Sequence, residues 1–211
     1  WHRDRATNQM APTRVSAVKV DSRRSILNPS GSIVKLENDR WLEELGQDLV
    51  HAAYLRGSFV LRSGRTSNYY FDKYLFETKP SILRRIATAL AEMTPDNVDR
   101  IAGPELGAVP LVTAISLEIG TPFVIVKKGQ KGYATGNRVE GELYPAERVL
   151  LVEDVLTTGG AAIDSAAVLR AEKVSVTDVL CVVDREEGAE QNLAAEGLQL
   201  HALFTRRTLD L

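Results

Sequence analysis

The stretch Arg148-Val149-Leu150-Leu151-Val152-Glu153-Asp154-Val155-Leu156-Thr157-Thr158-Gly159-Gly160 decides how this chain is read. Val149 to Val152 are aliphatic without polar alternation, which predicts a strand buried on both faces. That strand delivers Glu153 and Asp154 to its end. Thr157-Thr158-Gly159-Gly160 then forms a turn, and a helix is expected over Ala161 to Ala171. The free N–H groups and positive dipole end of such a helix suit a phosphate dianion. The glycines let the main chain approach phosphate oxygens, and the Thr hydroxyls add donors. Two carboxylates above that cup can hold the 2- and 3-hydroxyls of a ribose. No Lys follows the glycines, which excludes a Walker-type loop, and Gly-x-Gly-x-x-Gly is absent. As plain architecture the segment would be a turn capped by Thr. That reading leaves two acids at the end of an apolar strand without a purpose.

The same strand–helix pattern extends on both sides. Apolar residues at helical spacing from Trp41 to Leu55 predict a helix, stopped by Arg56-Gly57. Phe59 to Leu61 and Tyr69 to Phe71 read as two short strands around Ser63-Gly64-Arg65. Pro80 opens a helix running to about Met93. Strands are expected at Val98–Ala102, Phe123–Val126, Val174–Val183 and Leu198–Phe204. Helices are expected at Leu106–Glu118 and Glu186–Glu196, while 127–145 lacks periodicity. Such alternation implies an α/β fold with a doubly wound parallel sheet, and its ligands lie beyond the C-terminal strand ends. The expected organisation is a leader over 1–38 and a single domain over 39–211. Within that domain, a helix/hairpin hood spans about 39–75 and a core about 76–205.

Composition bounds the rest. The 211 residues carry a net charge of −2 and 44% hydrophobic residues, enough for a real core. The charge is uneven: residues 1–36 hold seven Lys/Arg against two Asp. That stretch reads as a flexible leader, a transit peptide or a vector-derived extension, with Met10 an alternative start. No aromatics are interleaved with its basic residues, so no nucleic-acid partner is expected. No run of 18 apolar residues occurs, so no membrane-spanning helix is expected. Cys181 stands alone in an apolar run, which suits a buried core residue and a reducing cytoplasm.

Residues 148–160 resemble the phosphoribosyl-diphosphate (PRPP) motif of type I phosphoribosyltransferases. Taken alone, that cup leaves open the acceptor base, and a non-catalytic PRPP-binding regulator. Four further segments resemble the orotate enzymes of pyrimidine synthesis, over roughly Trp41 to Thr205. Leu61-Arg62-Ser63-Gly64-Arg65-Thr66-Ser67-Asn68-Tyr69-Tyr70-Phe71-Asp72 is a basic, Gly-turned hairpin beside aromatics, with Asn68 where the family has Pro. A flat anionic base would stack there. Gly103-Pro104-Glu105-Leu106-Gly107-Ala108-Val109-Pro110 resembles the pyrophosphate loop. Some members place a Lys where Gly107 stands, so contact here would fall to backbone N–H groups. Lys127-Lys128-Gly129-Gln130-Lys131-Gly132-Tyr133-Ala134-Thr135-Gly136 resembles the catalytic loop. Lys127 replaces an Arg there and Ala134 a frequent Gly. Asp184-Arg185-Glu186-Glu187 resembles the Asp-Arg-x-Glu signature whose Arg meets orotate.

The resemblance implies a type I fold, a homodimer with loop 127–141 acting in trans, and Mg²⁺ held mainly by PRPP, pyrophosphate and water. It implies that PRPP is bound by Lys127, Lys128, Lys131, Tyr133, Glu153, Asp154, Val155, Leu156, Thr157, Thr158, Gly159, Gly160 and Ala161. Orotate would be bound by Arg62, Tyr70, Phe71, Thr157 and Arg185. Lys131 and Asp154 are the expected catalytic residues. The reaction implied is orotate plus PRPP giving orotidine 5′-monophosphate and pyrophosphate.

Overall fold

The computed structural model describes residues 26–27, 33–34, 39–60, 64, 66–129 and 137–211. Arg62, Lys131, Tyr133 and Ala134 lie outside the described residues. So does most of the leader, where β1 (Ile26–Leu27) pairs antiparallel with β2 (Ile33–Val34).

The described chain continues as α1 (Asp39–Ala53), β3 (Tyr54–Val60), β4 (Thr66–Phe71), α2 (Tyr74–Glu77) and α3 (Pro80–Met93). Then come β5 (Arg100–Pro104), α4 (Ala108–Ile119), β6 (Phe123–Val126), β7 (Val139–Glu140) and β8 (Val149–Leu156). The last elements are α5 (Gly160–Ala171), β9 (Asp178–Asp184), α6 (Ala189–Ala195) and β10 (Gln199–Thr205). The central sheet has the order β10-β9-β8-β5-β6-β7. All its pairings are parallel except the edge strand β7 against β6. Strands β3 and β4 form a separate antiparallel hairpin.

The apolar runs explain the layering. Successive strand residues face opposite sides of a sheet. Leu150, Val152, Leu180 and Val182 therefore join a core with Leu45, Leu49, Ile86, Leu90, Leu111 and Ile115 of α1, α3 and α4. Val149, Leu151, Val179 and Cys181 join a second core with Ala162, Ala166, Leu169 and Leu193 of α5 and α6. Both faces of the middle strands are thus covered, as the missing polar alternation requires. Each fully buried leucine contributes about 1.5–3 kcal/mol.

The sheet grows outward in both directions from the β5/β8 pair, since β6 lies to one side of it and β9 to the other. Helix α4 covers one face and α5 the other. The loops leaving β5 and β8 therefore separate and leave a crevice at their C-terminal ends, the usual ligand position in such sheets.

Three expectations are corrected. The acid-bearing strand does not stop at Val152 but runs to Leu156 with unbroken register against β9, Glu153 facing Cys181 and Val155 facing Val183. Glu153 and Asp154 are consequently inside the strand and buried, not above the turn. The last two strands start later than expected at the β9 position, where Asp178 rather than Val174 opens the strand. Helix α2 and strand β7 were not expected at all, being too short for periodicity to register.

Candidate active site

The turn after β8 is built to stay open. Gly159 precedes α5 with φ of 81°, a left-handed conformation that disfavours any side chain. A Cβ there would also press on Leu193 at 3.3 Å. No side chain caps α5, so neither Thr hydroxyl is used as an N-cap. Thr157, Thr158, Gly160 and Ala161 are exposed, and a Cβ on Gly160 would meet nothing closer than Thr158 Oγ1 at 4.0 Å. Asn192 supports the turn from the other side, donating to the Thr158 carbonyl at 2.8 Å. The donors at the head of this helix are therefore free for an anion.

Above the crevice lies a charge cluster. Asp154 is 2% exposed, and its Oδ2 accepts from Lys73 Nζ at 2.5 Å. Its other oxygen meets the Val155 N–H. Lys73 and Glu77 bracket α2, four residues apart, so one helical turn places both toward Asp154. Burial pushes the Glu77 carboxyl up to about 8, and the Asp154 charge adds to the shift. Neither Glu77 oxygen meets a donor. A protonated Glu77 can itself donate, toward the neighbouring Asp154. Burial likewise pushes Glu153 up to about 8, with the Asp154 charge second, and Glu153 Oε1 has no partner. Burial opposes the Lys73 charge, but the charge and hydrogen bond of Asp154 outweigh it and raise the Lys73 pKa.

Consecutive strand residues point to opposite faces, so the two acids are not equivalent. Asp154 shares the face of Leu150 and Val152, under α4 and α2. Glu153 shares the face of Val149 and Leu151. Asp154 lies against the Gly103–Gly107 loop. A Cβ on Gly107 would fall 1.6 Å from Asp154 Oδ2 and 2.8 Å from Lys73 Nζ. A side chain at 107 and the present Asp154 carboxylate are mutually exclusive.

The loop after β5 is also tied to the segment after β6, because Glu105 Oε1 accepts from the Lys128 backbone N–H at 2.8 Å. Lys127 pairs with Glu140 at 2.5 Å, and its N–H meets the Arg138 carbonyl at 2.8 Å. Arg138 in turn pairs with Asp164 of α5 at 2.6 Å. These contacts hold together the two described ends of the Lys- and Gly-rich loop.

At the end of β9, Arg185 is half-buried. It reaches Tyr69 Oη at 3.2 Å and Glu187 at 3.1 Å. Tyr69 stacks on Tyr54 with ring centroids 5.2 Å apart. Phe71 instead packs toward Phe76 and the core, while Tyr70 is 43% exposed on the other face of β4 beside Phe59. The expected base-stacking pair is therefore not brought to Arg185, and Tyr69 is. Sequence reading missed Tyr69, Lys73 and Glu77. Strand alternation could have separated Tyr69 from Tyr70, and the Lys73/Glu77 spacing was visible.

An uncapped, exposed helix start at the switch point of a doubly wound sheet, with a buried carboxylate beside it, is the arrangement expected of a phosphoribosyltransferase domain. The family model described as "phosphoribosyl transferase domain" matches residues 76–198. The orotate phosphoribosyltransferase of Natronomonas pharaonis is 48% identical over 153 residues, covering 72% of this chain and 87% of that protein. The crystal structure of the Mycobacterium tuberculosis orotate phosphoribosyltransferase with Fe(III) dicitrate superposes with a TM-score of 0.73 at 30% identity, covering 81% of this chain and 99% of that one. Its complex with PRPP gives 0.70 at 29% identity, with the same coverage of 81% and 99%. The chain belongs to the orotate phosphoribosyltransferase family.

Proposed function

We propose that this chain transfers ribose 5-phosphate from PRPP to orotate, releasing pyrophosphate and forming orotidine 5′-monophosphate. The observation that carries the reading is the uncapped, exposed turn Thr157–Ala161 beside buried Asp154 at the β5/β8 crevice. The 5-phosphate sits on the α5 N-terminus, and Asp154 accepts from ribose hydroxyls. A relative of known structure holds PRPP, which supports this use of the crevice. Arg185, with Tyr69 beside it, faces the orotate carboxylate from the end of β9. Thr157 closes the base side of the cup, and Arg62 of the hairpin adds positive charge.

In the reaction, the bond from ribose C1 to the diphosphate oxygen breaks and C1 bonds to a ring nitrogen of orotate. The nitrogen's proton leaves to water or to the departing diphosphate. Loss of the diphosphate is the demanding step, because positive charge builds on the ribose while the leaving oxygens become more anionic. Lys131, with Lys127, Lys128 and Tyr133, neutralises those oxygens from the loop above. Closure of that loop excludes water that would hydrolyse the donor.

Among the described residues no group of three or more His, Cys, Asp or Glu could cage a metal ion. Mg²⁺ would arrive on PRPP and keep its waters, with Asp154 the carboxylate of the crevice that could hold them. Bound there, the ion would supply positive charge to the diphosphate. We further propose a homodimer in which loop 127–141 of one copy covers its twin's site, and a cytoplasmic location. No helix among the described residues is long and apolar enough to cross a membrane.

The test is a mixture of purified protein, PRPP, Mg²⁺ and orotate, followed by loss of orotate absorbance, with uracil and adenine as control acceptors. Turnover specific to orotate is expected. Turnover with another base alone, or PRPP binding with no turnover, would overturn the reading.

A further inference from the structure

We propose that Lys73 is a diphosphate-binding residue of the PRPP site, which exchanges its Asp154 partner for the leaving group of the sugar donor. The inference rests on reading the crevice as the PRPP site.

Three observations converge on it. First, the ammonium group is 2.5 Å from Asp154 Oδ2, yet the Lys73 side chain is 34% exposed while Asp154 is 2% exposed. The lysine thus covers the acid from the solvent side, across the path by which a ribose hydroxyl must approach. Donor binding at Asp154 requires the ammonium to give up at least part of that contact. Second, the head of the ammonium lies against the Gly103–Gly107 loop. A Cβ on Gly107 would be 2.8 Å from Nζ and would overlap Asp154 Oδ2. Residue 107, a glycine, supplies no cation here, and the ammonium beside it comes from Lys73 at the head of α2. Third, a displaced Lys73 keeps its charge, since a ligand bearing two phosphates replaces one carboxylate with a stronger anion. The neighbouring acids are not both charged: both Glu77 oxygens and Glu153 Oε1 are buried without a donor among the described residues, and burial favours the protonated forms. Lys73 thus moves from a single carboxylate toward the diphosphate without stranding a cluster of three anions.

The exchange differs from a merely structural ion pair in what it binds. The test uses the full chain and three probes by titration calorimetry: PRPP, Mg²⁺-pyrophosphate and ribose 5-phosphate. Lys73→Gln retains an amide donor for Asp154 and removes the charge, so it is the variant least disturbing to the fold. Lys73→Arg keeps the charge. In Lys73→Gln the affinity for PRPP and pyrophosphate is expected to fall roughly 10-fold or more, as a lost charge-assisted contact implies. Ribose 5-phosphate affinity is expected to change less than about 3-fold, and Lys73→Arg to restore most of the pyrophosphate affinity. The turnover-based KM for PRPP should rise while that for orotate stays.

Unchanged pyrophosphate affinity in Lys73→Gln would overturn the proposal. So would an equal loss for ribose 5-phosphate, which would make Lys73 only a support for Asp154. Absence of orotate turnover in the unmutated chain would instead overturn the proposed function, and the calorimetric comparison of pyrophosphate with ribose 5-phosphate would still decide the role of Lys73.

Discussion

The two ends of the central sheet handle charge in opposite ways. At the N-terminal ends of the strands, Arg100 and Glu147 form a bidentate pair at 2.8 and 2.6 Å, with 8% and 15% of their side chains exposed. Asp178 gathers Thr177, His201 and Arg148 at 2.7, 3.0 and 3.7 Å. Arg170 donates to the Val176 and Glu196 carbonyls at 2.7 and 2.9 Å. At the C-terminal ends, Lys73 pairs with Asp154, and among the described residues both Glu77 oxygens and Glu153 Oε1 meet no donor. Buried carboxyl oxygens without donors are costly, whether the acid is held protonated or ionised, so such crowding is costly to the free chain. Donors from a substrate would relieve it. One end is closed by pairing, and the other is short of donors, as the proposed binding site would be.

The sharpest way to break this comparison is Asp154→Asn. The substitution keeps the shape and removes a charge from the crowded end. PRPP affinity is expected to fall roughly 10- to 100-fold, matching the ~1.5–3 kcal/mol carried by hydrogen bonds to a charged group. The melting temperature should fall only slightly, because Lys73, with 34% of its side chain exposed, can turn its charge to water. Calorimetry and thermal unfolding read the two effects. Equal PRPP affinity, or clear destabilisation, would count against the division of roles.

Arg100→Met probes the opposite end and should give the reverse pattern. It strands Glu147, which is only partly exposed. The expected loss is about 2 kcal/mol, below the ~3–5 kcal/mol of a fully buried broken pair. For a chain of this size that lowers the melting temperature by roughly 4–8 °C. The KM for PRPP and orotate should not move. A selective loss of PRPP affinity would show that the far end is coupled to the site.

The contrast also separates what the sequence announces from what it conceals. The layered core was legible because Val149–Val152 and Phe123–Val126 have no polar alternation, and both lie in strands as expected. Helix α3 begins at Pro80 and ends at Met93, as its N1 proline and apolar spacing predict. The turn before α5 was legible from its glycines, and Gly159 is left-handed. The length of β8 was not. A charge normally ends a buried strand, so Glu153 and Asp154 were placed one step too far out. Their burial depends on Lys73, more than eighty positions away in the chain, and on altered protonation. Such long-range compensation leaves no local periodicity. Glu77 ends a helix of four residues and Lys73 precedes it, too short a span for an amphipathic pattern. Tyr69 was passed over for Tyr70, although alternation along β4 puts Tyr69 and Phe71 on one face and Tyr70 on the other.

The smallest expected effect is a difference in pH response between the two ends. The hydrogen bond from Arg100 holds the Glu147 carboxyl below its ordinary value. Stability from that pair is therefore present above the carboxylate range and lost as pH falls through it. Burial does the opposite to Glu77, raising it from 4.5 to about 8. The folded chain then binds this proton more tightly than the unfolded chain does. Its contribution is complete below about 4.5 and is lost as pH rises toward about 8. Thermal unfolding of the ligand-free chain between about pH 5.5 and 9 should show a declining melting temperature. Glu77→Gln, a permanent stand-in for the protonated acid, should flatten that decline. Glu153 shares the sign, so Glu77→Gln removes only part of the slope and Glu153→Gln a further part. Arg100→Met should lower the whole curve and leave its slope over this window unchanged. A Glu77→Gln curve parallel to that of the unmutated chain would mean that Glu77 is ionised in the folded state, and that the crowded end is neutralised in some other way.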